Sequence, residues 1–197
     1  MRRYIITPVE DKDWTSLVEI QFRAFSTECF FHLLYGEDNH LNRSRCKERY
    51  LGQLRKQTNI LWLKATDAHD PERKLLGAAK YDLNPAYTAG IPLKFNPDSM
   101  FWLDDVEEKK AAAATWELVT DRRAKHIKAP HIQLDLIFVA PEYQGKAIGN
   151  GLLDWGIELA SHMMLPLEVY GNVGELGYSI YHNAEKAKID ARWHPDV

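Results

Sequence analysis

The sequence predicts an α/β protein in which helices cover a mixed β-sheet. Three observations support this prediction. Apolar residues recur at helical spacing in some stretches and alternate in others. Strand-like and helix-like stretches follow one another along the chain. A third is composition, since 45% hydrophobic and 27% charged residues are typical of globular proteins and exclude an intrinsically disordered chain. The 197 residues are expected to form a single domain, 1–197.

The first half of the chain is predicted to begin with a strand, continue with helices and end with a β-hairpin. Asp11 is placed to cap the first helix, and Cys46 and Tyr50 lie on the apolar side of a later one. Pro71 marks the polar loop of the hairpin. The predicted elements are a strand at 4–7, a helix at 12–25, an apolar run at 30–35, a helix at 41–57, and strands at 60–66 and 75–81.

The second half alternates helices with strands. The helix at 104–126 has acidic residues in its first turns and basic residues in its last turns, which the helix dipole favours. Gly171, Gly174 and Gly177 predict a flexible link, and the period of two after residue 186 predicts a half-buried strand. The predicted elements are a helix at 104–126, a strand at 131–139, a helix at 148–162, a strand at 165–170, a short helix at 178–185 and a strand at 187–193.

Charge and cysteine content exclude several classes of protein. A net charge of −3 is unlike the basic footprint of a protein that binds nucleic acid. Cys29 and Cys46 are too few for a disulfide framework or a four-cysteine zinc site, and the histidines lack metal-ligand spacing, so we expect no metal. No uncharged apolar run approaches the ~20 residues that span a membrane. We therefore expect a cytoplasmic protein with reduced thiols.

The most informative segment joins the strand at 131–139 to the next helix through the turn Gln144-Gly145-Lys146-Ala147-Ile148-Gly149. Free N–H groups at the start of a helix bind anions, and small residues let the backbone approach a phosphate closely. Lys146 adds a positive charge beside that position. A Gly-x-x-x-Gly spacing alone would favour a turn that needs small residues only for packing.

The whole string resembles the acetyl-CoA-binding motif of the GCN5-related N-acetyltransferase (GNAT) family, Gln/Arg-x-x-Gly-x-Gly/Ala after a strand that ends near a proline. Ala147 stands where that family usually has glycine. The resemblance implies a GNAT-like mixed, splayed central β-sheet, with acetyl-CoA between the strands at 131–139 and 165–170. It further implies that backbone groups of Phe138 and Val139 pair with the pantetheine arm and that Asn172 lies beside the cofactor.

The implied activity is an N-acetyltransferase that moves an acetyl group to the amine of a small molecule by direct attack in a ternary complex. Simple alternation along the strand places five residues on one side of it: His131, Gln133, Asp135, Ile137 and Val139. Asp135 occupies a strand position that carries a histidine base in several relatives. The resemblance implies that Asp135 accepts the amine proton through water; the alternative is a carboxylate with a purely structural role. Gln133 and Glu168 are weaker alternatives as the base.

Tyr181, at the start of the predicted last helix, matches the family's tyrosine near the sulfur and would protonate the leaving thiolate. Tyr178 is the alternative proton donor. The competing explanation of Tyr181 is structural: a core aromatic residue whose hydroxyl has a hydrogen-bond partner.

A second hypothesis is a divergent relative that keeps the fold but does not acetylate, using the cleft for another reaction or for binding. Ala147 favours it, as do Glu185 and Lys186 where the family usually has Gly-Phe. We also expect that the strand at 187–193 pairs directly beside the strand at 165–170, or that a second copy covers that open edge as a homodimer.

Overall fold

The computed structural model describes residues 3–86, 100, 103–126, 129–172, 176–182 and 185–187, with the backbone alone at 29–30, at 118–126 and from 170 onwards. Within these residues the strands form one seven-stranded sheet whose order follows the chain. Adjacent strands are antiparallel except β4 and β5, which are parallel. The strands are β1 (Tyr4–Pro8), β2 (Ile60–Asp67), β3 (Leu75–Asn84), β4 (His131–Val139), β5 (Leu167–Asn172), β6 (Leu176–His182) and β7 (Glu185–Ala187).

Five α-helices belong to the described chain, together with short 3-10 turns at Asp11–Asp13 and Pro141–Tyr143. None of these helices is both long and apolar enough to cross a membrane. Gly36 ends the second helix with a φ of +79°, a value that glycine adopts without strain. The helices are α1 (Trp14–Ala24), α2 (Cys29–Tyr35), α3 (His40–Lys56), α4 (Val106–His126) and α5 (Ile148–Met163).

The helices lie on both faces of the sheet, which confirms the predicted α/β fold class. On one face Trp14 and Phe22 of α1 and Tyr50 of α3 form a core with Trp62 and Phe138 of the sheet. On the other face α5 covers a second core.

Helix α5 docks closely because Gly151 and Gly156 leave room for tyrosine side chains of the sheet. A Cβ at Gly156 would lie 2.4 Å from the ring of Tyr81, which needs that space. The Tyr81 hydroxyl in turn donates to the Leu152 carbonyl at 2.6 Å. This packing fixes the start of α5 relative to the strand that precedes it.

The C-terminal part differs from the prediction. The predicted helix at 178–185 is wrong: β6 occupies Leu176–His182 and pairs with β5, and Gly171 and Gly177 face each other in that ladder rather than forming a flexible link. The strand beside β5 is therefore β6, while β7 pairs with β6. The predicted strand at 187–193 lies outside the described residues beyond Ala187. The edge of β5 that the homodimer prediction used is occupied by β6.

Candidate active site

A fork opens in the middle of the sheet between the two parallel strands. Their paired positions run from Ile132 opposite Leu167 to Leu134 opposite Val169 and stop there, although β4 continues for five residues. At the same point the ladder with β3 shifts register: Leu134 is opposite Tyr81 and Leu136 opposite Lys80. Asp135 is thus a one-residue β-bulge at the apex of the fork.

The bulge reverses which backbone groups face the fork. Before it, the Ile132 N–H donates to the Pro166 carbonyl at 2.9 Å, on the β5 side. After it, the Ala140 N–H donates to the Leu76 carbonyl on the β3 side at 2.8 Å. Because these directions alternate along a strand, the backbone groups of Ile137 and Val139 face the fork.

Side chains are redirected in the same way. Ile137 and Val139 pack in the core under α5, whereas Phe138 packs in the core under α1. The prediction that Ile137 and Val139 share a side with Asp135 is therefore wrong, because it counted simple alternation through the bulge. The Phe138 carbonyl faces β3, where a Cβ at Gly77 would lie only 2.4 Å from it.

The predicted anion-binding turn forms directly after β4. Gly145 and Ala147 both have left-handed backbone, with φ of +73° and +60°, and these two residues turn the chain into α5. The first turn of a helix leaves its N–H groups without intrahelical acceptors, and no side chain caps α5. A Cβ at Gly149 would make one ordinary contact, 3.7 Å from Val139, so this small residue leaves open space beside the amides.

Two lysines add positive charge to this turn, and the sequence identified one of them. The ammonium groups of Lys146 and Lys74 lie 4.7 and 5.2 Å from the ring centre of Tyr143. Lys146 also donates to the Glu142 carbonyl at 2.9 Å. Gln144 donates to the Val139 carbonyl at 3.2 Å, which ties the turn to the end of β4. Lys74 comes from the β2–β3 loop, and no local sequence signal connects it with the turn.

Tyr4 is a second contributor that the sequence did not reveal. Its hydroxyl donates to the Ala147 carbonyl at 3.1 Å, 143 residues away in the chain. A Cβ at Gly151 would lie 2.1 Å from the same hydroxyl oxygen, so Gly151 makes room for the tyrosine. The Tyr4 hydrogen bond therefore fixes the position of Ala147, the left-handed residue directly before α5.

Polar side chains from three strands form a row at the apex of the fork. Lys80 is 6% exposed and lies 2.8 Å from Asp135 and 3.4 Å from Asp82. Gln133 donates to the second oxygen of Asp135 at 3.2 Å. Glu168, which is buried, is opposite Gln133 in the parallel ladder. The row brings together Asp135, Gln133 and Glu168, the three residues that the sequence offered as the base.

The charge of Lys80 bears on the proposed role of Asp135. Burial acts to lower the pKa of Lys80, but the carboxylates of Asp135 and Asp82 outweigh burial and raise it. Lys80 is therefore an ammonium at neutral pH. That ammonium lies 2.8 Å from Asp135, so the carboxylate already has a charged partner at the apex of the fork.

The described backbone places the remaining predicted residues as follows. Tyr181 lies within β6 opposite Leu167, in the paired part of the sheet, and not at the start of a helix. Tyr178 lies opposite Tyr170, one residue beyond the last β4–β5 pair and so closer to the fork. Asn172 ends β5. The side chains of these residues lie outside the described part.

Among the described residues, no three His, Cys, Asp or Glu side chains come together as a metal site. The mixed sheet thus forks beside a glycine-containing turn at a helix start, where free N–H groups can accept an anionic group. The family model of the acetyltransferase (GNAT) family matches residues 58–172, more than half of the chain. The chain therefore belongs to the GNAT family, a family of acyltransferases, as its motif indicated.

Solved structures agree on the fold. A histone acetyltransferase HPA2 and related acetyltransferase from Corynebacterium glutamicum is 16% identical with a TM-score of 0.52, over 88% of this chain and 80% of that one. A GNAT family acetyltransferase from Brucella melitensis, in complex with acetyl-CoA, is 12% identical with a TM-score of 0.51, over 99% and 98%. A mosquito arylalkylamine N-acetyltransferase like 5b is 14% identical with a TM-score of 0.51, over 84% and 75%. No curated protein matches the chain significantly.

Proposed function

We propose that the protein is an acetyl-CoA-dependent N-acetyltransferase that acts on the amine of a small molecule in a ternary complex. The observation that carries the proposal is the continuity of β4: its bulge at Asp135 forms the apex of the fork, and its end leads into the anion-binding turn. One strand would thus hold the proposed cofactor turn and the proposed reaction site at a fixed separation.

The residues present fit acetyl-CoA. The pyrophosphate would be held by the amides of Gln144–Gly149, with Lys146 and Lys74 compensating its charge. The backbone groups of Val139 and Ile137 face the fork and would pair with the amides of the pantetheine arm. Ile137 replaces Phe138 in this role because the Phe138 carbonyl faces β3. Asn172, at the end of β5, would lie on the opposite side of the arm.

The chemistry at the apex needs a neutral amine, because a protonated amine has no lone pair with which to attack. When bound, acetyl-CoA supplies an activated thioester. Asp135 would attract the incoming ammonium and accept its proton through water, and Tyr181 or Tyr178 would protonate the leaving thiolate. Since Asp135 is already paired with Lys80, we assign much of its contribution to placing the amine. Positioned acids and bases typically contribute ~10²–10⁴-fold in rate.

The first experiment measures acetyl-CoA binding by calorimetry. We expect saturable binding by the wild type and a loss of at least about tenfold in Gly149→Val, whose side chain fills the space beside the amides. Gly52→Ala is the matched control, because a Cβ at Gly52 on α3 meets nothing within 4 Å. Equal affinity in Gly149→Val and the wild type would contradict the cofactor site.

The second experiment measures the thiol released from acetyl-CoA with a panel of amines. Asp135→Asn and the tyrosine variant that removes the proton donor, Tyr181→Phe or Tyr178→Phe, should lower turnover on the ~10²–10⁴-fold scale and leave acetyl-CoA affinity nearly unchanged. Wild-type turnover in all three variants would mean that catalysis rests on positioning alone.

A divergent protein that binds without acetylating is the second candidate function. The observation in its favour is Ala147, a residue with a Cβ in left-handed backbone where the cofactor has to approach. It predicts acetyl-CoA binding in the first experiment and no thiol release with any amine in the second.

A further inference from the structure

The Tyr4 hydroxyl donates to a carbonyl that already takes part in the hydrogen bonding of helix α5. The Ala147 carbonyl accepts the first hydrogen bond of the helix, from the Gly151 N–H at 3.1 Å, and it also accepts the Tyr4 O–H at 3.1 Å. A carbonyl oxygen has two lone pairs, so these two donors occupy both. Gly151 makes this arrangement possible, since a Cβ at that position would overlap the Tyr4 hydroxyl. The Ala147 carbonyl is therefore fixed from two sides.

Fixing this carbonyl also fixes the first N–H group of the helix. The Ala147 carbonyl and the Ile148 N–H belong to one trans peptide unit, which is planar, so they point in opposite directions. Ile148 is the first residue of α5, and its N–H therefore has no acceptor within the helix. The hydrogen bond from Tyr4 thus sets the direction of an N–H group at the anion-binding turn, although Tyr4 itself lies in a distant strand.

Ala147 is the residue of this turn that needs such support. Its φ of +60° is left-handed, and that conformation is unfavourable for a residue with a Cβ. The other left-handed residue of the turn, at position 145, is a glycine and adopts this backbone freely. No side chain caps α5, so a hydrogen bond from outside the turn helps to keep Ala147 in its conformation.

The start of β1 is itself held in place beside the turn. Tyr4 is opposite Asp67 in the ladder with β2, and the Ala68 N–H donates to the Arg3 carbonyl at 3.0 Å. The Asp67 N–H in turn donates to the carbonyl of Lys74 at 2.9 Å. Lys74 is the other residue distant in sequence that reaches the turn. The start of β1 and the β2–β3 loop therefore form one hydrogen-bonded support for it.

We propose that Tyr4 is a positioning residue for acetyl-CoA, because its hydroxyl, through the Ala147 carbonyl, directs the Ile148 N–H toward the pyrophosphate. The inference rests on the proposed function and adds β1 to the cofactor site. A glycine at position 147 would adopt left-handed backbone without the penalty of a Cβ. Tyr4 thus compensates for alanine at this position, where the family usually has glycine.

The first test compares two tyrosine variants that each lose one hydroxyl. In calorimetry Tyr4→Phe should bind acetyl-CoA about three- to tenfold more weakly than the wild type, which is the scale of one hydrogen bond. Tyr81→Phe is the matched control, because Tyr81 also donates to a carbonyl of α5, that of Leu152, and a glycine also makes room for its ring. Leu152 lies beyond the first turn of α5, so Tyr81→Phe should keep wild-type affinity.

Unchanged acetyl-CoA affinity in Tyr4→Phe, or an equal loss in both variants, refutes the role of Tyr4. A purely structural Tyr4 would lower the urea midpoint when substituted and leave the affinity of the folded variant unchanged. If the wild type binds acetyl-CoA and Tyr4→Phe binds it equally well, the proposed function stands and the role of Tyr4 falls. If the wild type itself does not bind acetyl-CoA, both fall.

The second test repeats the Tyr4 substitution in an Ala147→Gly variant. Glycine keeps the left-handed conformation without support, so Tyr4→Phe should cost less acetyl-CoA affinity there than in the wild type. The four proteins form a double-mutant cycle, which measures the coupling between the two residues directly. An equal loss with alanine and with glycine at position 147 refutes the compensation.

The third test measures amide hydrogen exchange and does not depend on the folding of any variant. If β1 positions the cofactor turn, bound acetyl-CoA must by linkage oppose local opening of β1. We expect acetyl-CoA to slow amide exchange within Tyr4–Pro8 of the wild type, and Tyr4→Phe to lose most of that effect. Exchange in β1 that acetyl-CoA leaves unchanged in the wild type, or slows equally in both proteins, contradicts the proposal.

Discussion

The turn at 144–149 contains two left-handed residues, and substituting them tests the backbone strain of the turn in opposite directions. Ala147 has a φ of +60° and Gly145 a φ of +73°. Left-handed backbone costs a residue with a Cβ roughly 1–2 kcal/mol, whereas glycine loses about 0.4–1 kcal/mol through the greater freedom of the unfolded chain. The difference predicts that Ala147→Gly stabilises the protein by about 0.5–1 kcal/mol.

Gly145→Ala should have the opposite effect by a similar amount. A Cβ at Gly145 meets nothing within 4 Å, so backbone strain is the whole of the cost. For a chain of this length, 1 kcal/mol corresponds to a shift of about 2–4 °C in Tm. Urea unfolding followed by tryptophan fluorescence measures both changes. Tyr4→Phe serves as a comparison, because it removes a hydrogen bond to the turn without substituting a residue of the turn.

Acetyl-CoA affinity provides a second measure for the same pair. Removing the Ala147 methyl leaves the backbone more open to close approach by a phosphate, so Ala147→Gly should bind acetyl-CoA more tightly than the wild type. If Ala147→Gly is destabilised, or if both substitutions shift the urea midpoint in the same direction, the left-handed strain assigned to this turn is wrong.

Three further outcomes are expected. Gly52→Ala should raise the free energy of unfolding, measured in urea, by about 0.5–1 kcal/mol. Alanine has the higher helix propensity, and a Cβ at this position meets nothing within 4 Å. A lower free energy of unfolding would contradict the open space at Gly52. Burial raises the pKa of Cys46 to about 12. In a Cys29→Ala variant, Cys46 should therefore stay unreactive to a thiol reagent at pH 8 until urea unfolds the protein. Rapid labelling of the native protein would contradict the burial of Cys46. Tyr81→Phe should lower the free energy of unfolding by about 0.5–1.5 kcal/mol, because it removes the buried hydrogen bond from the tyrosine to the Leu152 carbonyl; calorimetric melting checks this, and an unchanged Tm would count against it.

The turn at 144–149 was predictable as the entry to a helix because its sequence signal is local. Gln144, Gly145 and Gly149 lie within six residues, between a buried strand and an amphipathic helix. Small residues at a helix start have one main physical use besides packing, which is close approach to an anion. Tyr4 and Lys74 belong to the same turn in space, but neither lies near it in sequence, so local pattern carried no information about them.

The C-terminal strands show where local pattern favoured the wrong element. Glycines at 171, 174 and 177 read as a flexible link, and 178–185 read as a short helix. In the structure, pairing with β5 along six positions makes Leu176–His182 a strand, with Gly171 opposite Gly177. Strand formation depends on the neighbour across the ladder more than on intrinsic preference, and the sequence does not state which segments are neighbours.

The polar row at the fork was only partly predictable, and the β-bulge explains why. Alternation counted from His131 placed Asp135 on the correct face but put Ile137 and Val139 there as well. One extra residue at position 135 reverses every later side chain and turns the amides of Ile137 and Val139 into the fork. The same insertion sets Asp135 beside Lys80, 55 residues away. A single bulge therefore fixes both the backbone groups that face the fork and the charge at the apex. Under the proposed function, a substitution that removed the bulge would disturb cofactor and acceptor binding together.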